Sequence, residues 1–538
     1  MGQSKDKIKV FIEEYKVKDV PAKHPQLFEL KTIIPGIMLG LLGIIIGLEL
    51  LTRVGITANT SIIGAIIAIG LSRIPLSVTS SFRNLSRQNL LQTVISGATF
   101  GGANAIFLPI GILWLISKRE LVPIMLLGAF LGLIIDATIL YRIFDSRIYP
   151  AGGTWPPGVA TAECIIAGDK GGKRAKLLSV GGIAGIIGRF AGIPMDIFGV
   201  CWIGNIWALT MFAAGLLIRG YSITLFNVDI NKFYLPHGVM IGAGVVAMFQ
   251  IIAEIAKENK NFDKKEFTIN GKQFGTGIGS GFIAFLVAAL IISAVSGIYT
   301  QMSPGMLFFF IIYAGISALI SELIVGISSM HAGWFPSFAT TLIFLTGGML
   351  IGFPQTPLAL LTGFTASTGP AFADMAYDLK TGWILRGNGK YTEFEKQGRK
   401  QQYFAEILGF TIALIVVTIF YKNYFKGGLF PPVDRVYIAT IQAGTSSETA
   451  KYLLMWSIPG VIIQLIGGIS TQIGILFATG LLIHNPIAGW TALVALAVRA
   501  IIIKIYGKPA ENPMYVLAGG FIAGSALCGF ISSTLKIK

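Results

Sequence analysis

Two stretches of this 538-residue chain carry residue types at spacings that could do chemistry. The first is Ala151–Gly168, AGGTWPPGVATAECIIAG, where Gly152-Gly153, Trp155, Pro156-Pro157, Thr161 and Glu163 interrupt an apolar run. Proline lacks an N–H and crowds the preceding turn, so the backbone must open near Trp155. A helix can restart there with Pro157 near its first position. The unpaired N–H groups of that restart favour a carboxylate, and the Trp155 indole offers an apolar and cation–π surface. Glu163 lies six residues past Pro157, about 9 Å along a helix, and is the first candidate for carrying protons. The second stretch starts at a further break, Gly363–Pro370, which contains Thr368 and precedes Asp374 and Asp378. These two acids sit one turn apart on a helical face. They are either a second proton-carrying candidate or a helix-end pair neutralised by Lys380.

The first break has a counterpart. Trp155-Pro156-Pro157-Gly158-Val159-Ala160-Thr161-Ala162 aligns with Trp334-Phe335-Pro336-Ser337-Phe338-Ala339-Thr340-Thr341, sharing W-x-P-[small]-x-A-T. Proline-interrupted segments at matching places in two halves point to a transporter's central site. Trp155, Pro157, Thr161, Trp334, Pro336, Thr340 and Thr368 are therefore the expected substrate-binding residues, with Glu163, Asp374 and Asp378 expected to couple protons. Glu322 and Glu406, inside apolar runs, are weaker candidates for the same polar interior. Asp136 is either functional or an interfacial carboxylate paired with Arg142 or Arg147. Arg189 and Asp196 flank Pro194 as a structural pair or a cavity wall. His237 and His331 are pH sensors or helix-start anchors, and His24 falls in a charged tail.

The elements that must hold these residues are membrane helices. The chain is 54% hydrophobic and 13% charged, with a mean hydropathy of +0.73, whereas soluble domains carry about 25% charge. Apolar runs of roughly 20 residues or more recur along the chain, among them about Ile56–Pro75, His331–Ile351 and Lys451–Ile483, separated by short loops such as the basic Lys380–Lys400, so the expected fold is all-α and polytopic. About 14–16 transmembrane helices are expected, with broken or re-entrant segments and internal repeats. Residues 1–31 form a basic, uncleaved tail expected on the cytoplasmic side, since no early apolar core follows it. Residues 32–535 form one transmembrane domain with halves 32–273 and 274–535. Counting crossings puts the lysine-rich loop Lys257–Lys272 on the wrong side, so a segment between Lys176 and Lys257, such as Tyr221–Asn231, must be re-entrant or an extra crossing. The net charge of +16 lies in loops, which fits the positive-inside rule and anionic lipid headgroups rather than nucleic acid.

Enzyme signatures are weak or missing. Gly315-Ile316-Ser317, Gly326-Ile327-Ser328 and Gly468-Ile469-Ser470 fit the loose Gly-x-Ser of an intramembrane protease, as a Gly- and Ser-rich chain does by chance. No Gly-x-Gly-Asp or HExxH occurs, and Gly387–Tyr391 lacks the spacing of a phosphate-binding loop. Cys164, Cys201 and Cys528 form no ligand or disulfide pattern. No cofactor and no bound metal are expected.

Asp374-Met375-Ala376-Tyr377-Asp378-Leu379-Lys380-Thr381-Gly382 resembles the D-x-x-x-D-[FL]-K-T-G signature of the oligopeptide transporter superfamily, which the yellow stripe-like metal-chelate transporters share. Thr154–Ile165 is similar to its [FY]-P-S-G-T-A-x-A-E element, and Asn512–Leu527 to its last glycine-rich helix. Pro157 stands where the family often has Ser, which removes a hydroxyl ligand there, and the shorter chain points to a prokaryotic member. The resemblance implies proton-driven uptake of small peptides, peptide derivatives or metal chelates through about sixteen helices related by duplication. It implies a multi-pass protein of the cell membrane, with protons and lipids as partners. A homo-oligomer and a passive channel stay open.

Overall fold

The computed structural model describes residues 23–53, 64–65, 69, 83–258, 267–333, 335–443 and 447–536. These residues fold into helices, with no strand among them. Nine of the described helices are long and apolar enough to cross a membrane, and three shorter apolar helices join them. Their surfaces invert the soluble pattern. Phe190, Leu454 and Ile466 are among many large apolar side chains turned outward, while Gln92, Ser96, Glu322 and Asp378 are sealed inside. An apolar exterior is stable only against lipid, and polar groups then gather where other helices can hydrogen-bond them.

The chain opens with α1 (Leu30–Arg53), which packs on α2 (Leu85–Phe100). The expected crossing from about Ile56 to Pro75 falls almost wholly outside the described residues. From α2 the chain passes through a π turn, Gly101–Phe107, into α3 (Leu108–Leu115), and then α4 (Val122–Ile143). Next come α5 (Pro156–Lys170), α6 (Gly172–Phe190), α7 (Met195–Ile203), α8 (Ile206–Phe226) and α9 (Leu235–Glu258). The second half holds α10 (Gly271–Ser296), α11 (Pro304–Ala332), α12 (Ser337–Ile351), α13 (Gln355–Ser367), α14 (Pro370–Leu385) and α15 (Thr392–Lys426). It closes with α16 (Pro432–Ala443), α17 (Ser447–Thr471), α18 (Ile473–Leu482), α19 (Pro486–Tyr506) and α20 (Glu511–Lys536).

Several expectations shift. The short element between Lys176 and Lys257 is α7, not Tyr221–Asn231: at 9 residues it rises only about 14 Å. Gly192, at φ 79°, and Pro194 end α6, and Asn205 starts α8 by accepting the Ala208 N–H at 3.1 Å. Arg189 and Asp196 thus lie on separate helices, and no ion pair joins them. His331–Ile351 is not one helix either, since α11 runs through His331 to Ala332. The expected run Lys451–Ile483 breaks at Gly468 (φ 65°) and Gln472 (φ 52°). There Gln464, fully buried, accepts from the N–H groups of Gly474 and Ile475 and so caps α18. The basic loop Lys380–Lys400 is mostly helical, because Arg386 is buried against Glu395 at 2.7 Å rather than solvated.

The end of the basic tail is also ordered. Residues 1–22 lie outside the described residues, but His24 is buried against Phe394, with ring centroids 5.1 Å apart. The backbone N–H groups of His24 and Leu27 donate to Gln397 and Gln401 of α15 at 3.2 and 2.8 Å.

Candidate functional site

Three broken segments meet inside the bundle. At the first, Trp155 takes a left-handed backbone conformation, φ 37° and ψ 61°, and its N–H donates to the Met330 carbonyl at 3.0 Å. The Thr154 hydroxyl donates to the same carbonyl. That carbonyl belongs to the last turn of α11, where the second break begins. Pro157, in the first turn of α5, packs beside Gly333, which closes α11. At the second break α12 restarts after Pro336. The third break separates α13 from α14, and the Ser337 hydroxyl donates to the Thr368 carbonyl across from it at 3.5 Å. The Thr381 hydroxyl, about three turns further along α14 than that break, donates to the Gly158 carbonyl of α5 at 3.0 Å and so ties the first break to α14.

The side chains expected to touch substrate are held inward in this conformation. Trp155 is fully buried, its indole N–H donating to the Pro150 carbonyl at 2.9 Å and its ring lying among Phe144, Tyr149 and Tyr377. The Thr161 hydroxyl donates to the Pro157 carbonyl at 2.9 Å. Thr340 bonds the Ser337 carbonyl at 3.0 Å and the Ser321 hydroxyl at 2.6 Å, and Thr368 donates to the Thr365 carbonyl at 2.9 Å. Each of these hydroxyls is thus bonded back to a carbonyl of its own segment rather than left free. Trp334 lies outside the described residues.

A buried acidic cluster lies where α14 meets α15. Asp374, Asp378 and Glu406 are all buried, with one carboxylate oxygen of each within 4.8 Å of the others. Asp374 accepts from the Ser96 hydroxyl at 2.7 Å and Asp378 from the Gln92 amide at 2.5 Å, both on α2. Gln402 of α15 donates to the Asp378 carbonyl at 2.6 Å and accepts from Arg386 at 2.8 Å. Small residues make this approach feasible: a side chain on Gly97 would meet the Glu406 carboxyl at 3.1 Å. Lys380 does not neutralise the two aspartates. Its Nζ donates to the Ala151 carbonyl at 2.8 Å and lies over the Trp383 ring, away from the cluster. No ion pair among the described residues reaches Asp374 or Glu406. At an effective dielectric of about 20, each pair of charges at this separation would repel by roughly 3 kcal/mol, so the cluster needs protons or a cation to be stable.

Glu163 stands apart from it. Arg174 grips its carboxylate with two nitrogens, at 2.8 and 2.5 Å, so α5 and α6 are pinned together there. Asp136 is neither interfacial nor paired with Arg142 or Arg147: from α4 it accepts the N–H groups of Gly369 and Phe372 at 3.0 and 2.9 Å. It caps the start of α14 from a neighbouring helix, with the Glu322 carboxyl beside it.

Sequence reasoning missed the hydrogen-bonding half of the cluster. Asn89, Gln92, Ser96 and Thr99 form a polar stripe at helical spacing, all buried. That spacing was the available signal. Gln402 gave none, since it follows a run of charged residues that reads as a loop.

The model of the OPT oligopeptide transporter protein family matches residues 29–256 and 252–536 of the chain. No single curated protein matches it.

Proposed function

The chain belongs to the OPT oligopeptide transporter family, a transporter family and not an enzyme family, and from that premise we propose that it is a secondary active symporter driven by protons. It is a multi-pass membrane protein; we place it in the cell membrane with its amino terminus in the cytoplasm. Its cargo is a small peptide, a peptide-like molecule or a metal chelate. The observation that carries the reading is the buried cluster Asp374–Asp378–Glu406, three acids whose carboxylate oxygens lie within 4.8 Å of one another, two of them on the helix that starts at one of the three converging breaks and the third on α15.

The proposed cycle follows from that placement. Protons entering from the outer side neutralise the cluster, which relieves repulsion and lets α14 pack against α2 and α15. Cargo binds where the breaks meet, its carboxylate facing the N–H groups that start α5 and α12. Movement of α14 then couples proton release to cargo release, because Thr381 and Gly158 tie α14 to the first break. Trp155, Pro157, Thr161, Trp334, Pro336, Thr340 and Thr368 remain the proposed cargo shell. Glu163, paired with Arg174, joins proton coupling only if that pair opens during transport.

Proteoliposomes with an imposed proton gradient test this, offered mixed di- to hexapeptides beside iron and nickel chelates. Gradient-driven accumulation is expected in the native protein and a loss of at least about tenfold in Asp374→Asn and Glu406→Gln, with downhill cargo exchange retained. Three carboxylates this close can also hold a cation, and accumulation that follows a sodium gradient instead would replace protons with that ion. Cargo that equilibrates without being concentrated would make the protein a channel.

A further inference from the structure

Outside the acidic interior lies a pocket lined by four cations. It measures about 570 Å³ and is bounded by Arg142 at the end of α4, Lys272 and Thr276 in the first turns of α10, and Lys396 and Arg399 of α15. Arg399 is a built feature rather than a surface residue. It is 4% exposed, its Nη1 donates to the Phe144 carbonyl at 2.8 Å, and its guanidinium lies over the Phe144 ring. Its Nε has no hydrogen-bond partner, and its Nη2 reaches Asp145 and Glu395 only at 3.7 and 3.6 Å. Those two acids are not among the residues that line the pocket, although Asp145 accepts from the hydroxyl of the lining Thr268 at 2.7 Å. Arg142 donates to the Ser280 hydroxyl at 2.7 Å, and neither it nor Lys272 has a carboxylate partner among the described residues. Lys396 is paired with Glu393 at 3.0 Å and Arg399 with its two more distant acids, so the positive charge left over in the pocket is that of Arg142 and Lys272.

What continues from it along α10 identifies the ligand. Lys272, Thr276 and Gly279 are exposed at helical spacing, and the same stripe runs on through Ile283, Val287 and Leu290, which are 62%, 49% and 52% exposed. A cationic cup thus opens onto an apolar track on one lipid-facing helix. A free anion needs only the cup. A molecule with a phosphate at one end and an acyl chain at the other fits both.

We propose that this is a binding site for an anionic phospholipid, with the phosphodiester against Arg142, Lys272 and Arg399 and an acyl chain along Ile283, Val287 and Leu290. Juxtamembrane cations attract anionic headgroups, and a pocket between helices adds geometry to that attraction. The bound lipid ties α4, α10 and α15 together at one end. Because α15 carries Glu406 and Gln402, the site would make the position of the acidic cluster depend on lipid composition.

The test uses the full-length protein, delipidated in a neutral detergent and titrated with phosphatidylglycerol, with phosphatidylcholine of the same chains, or with inorganic phosphate, following the thermal unfolding midpoint. Phosphatidylglycerol is expected to raise the midpoint by several degrees, and the doubly substituted Arg142→Gln, Lys272→Gln protein to need roughly tenfold more lipid for half the effect. Both side chains are exposed, so the variant keeps its fold, and the charge-preserving Arg142→Lys, Lys272→Arg pair should respond like the native protein. Ile283→Asn should weaken the response while leaving the cations in place. Equal effects of the two lipids, or an unchanged half-saturation in the double variant, would overturn the proposal. The same shift from inorganic phosphate would overturn the lipid assignment.

Discussion

Asp136 illustrates how a buried charge acquires meaning from what it faces. In the sequence it is an acid in an apolar run, with function and an interfacial pair both open. In the structure its carboxylate replaces the missing partners of the first N–H groups of α14, at 3.0 and 2.9 Å. A cap removed from a helix start weakens it by roughly 0.5–2 kcal/mol, and a buried unsatisfied donor adds to that. Asp136→Ala should therefore lower stability by about 2 kcal/mol and Asp136→Asn, which keeps an acceptor, by less. Denaturant unfolding in detergent reads the difference, and equal losses would show that the cap is not what the carboxylate supplies. Glu163 and Lys380 carry the same lesson in reverse. Both lie near signature residues in sequence, yet Arg174 and the Ala151 carbonyl take them out of the acidic cluster.

At the scale of elements, the breaks were legible because proline and glycine act locally. Pro156-Pro157, Pro336 and Gly369-Pro370 each begin a helix as their chemistry requires. The break at Gly468–Gln472 was not legible, since no proline marks it and what stabilises it is the buried Gln464 side chain reaching across it to Gly474, ten residues on. How tightly two broken helices sit together depends on single glycines. A side chain on Gly158 would come within 2.5 Å of the Tyr377 carbonyl and 2.8 Å of the Lys380 side chain. Gly158→Ala should thus push α5 from α14, destabilising the fold by roughly 1–3 kcal/mol. The uptake assay should lose rate in that variant even where the protein remains folded, because the tie between the first break and the acidic helix is strained.

For the whole molecule, the docked segment before α1 shows how the amino terminus belongs to the bundle. His24 is buried and lies near Arg386, and burial first, then that positive charge, lowers its pKa to about 4. The unfolded segment takes up a proton below about 6.5 while the docked one stays neutral. Docking is therefore fully present above that range and is lost as pH falls from about 6.5 through about 4. Protease or hydrogen-exchange protection of residues 24–29 should fall over that window, and His24→Phe should flatten the response. Protection that is flat in the native protein would show that His24 does not titrate on undocking.

The sequence by itself determined the solvent of this protein and the proline-marked places where its helices break. Hydropathy summed over about 20 residues and the steric limits of proline and glycine are properties of short segments, and neither needs the rest of the chain. It also carried the family signature around Asp374 and Asp378. Only the tertiary structure decided which polar groups face one another: Glu406 against Asp374, Ser96 and Gln92 against the two aspartates, Asp136 under α14, and four cations around one pocket. Those pairs join residues as far apart as 286 positions in the chain. Electrostatic and hydrogen-bonding energies fall off with distance in space, and the packing of helices sets that distance.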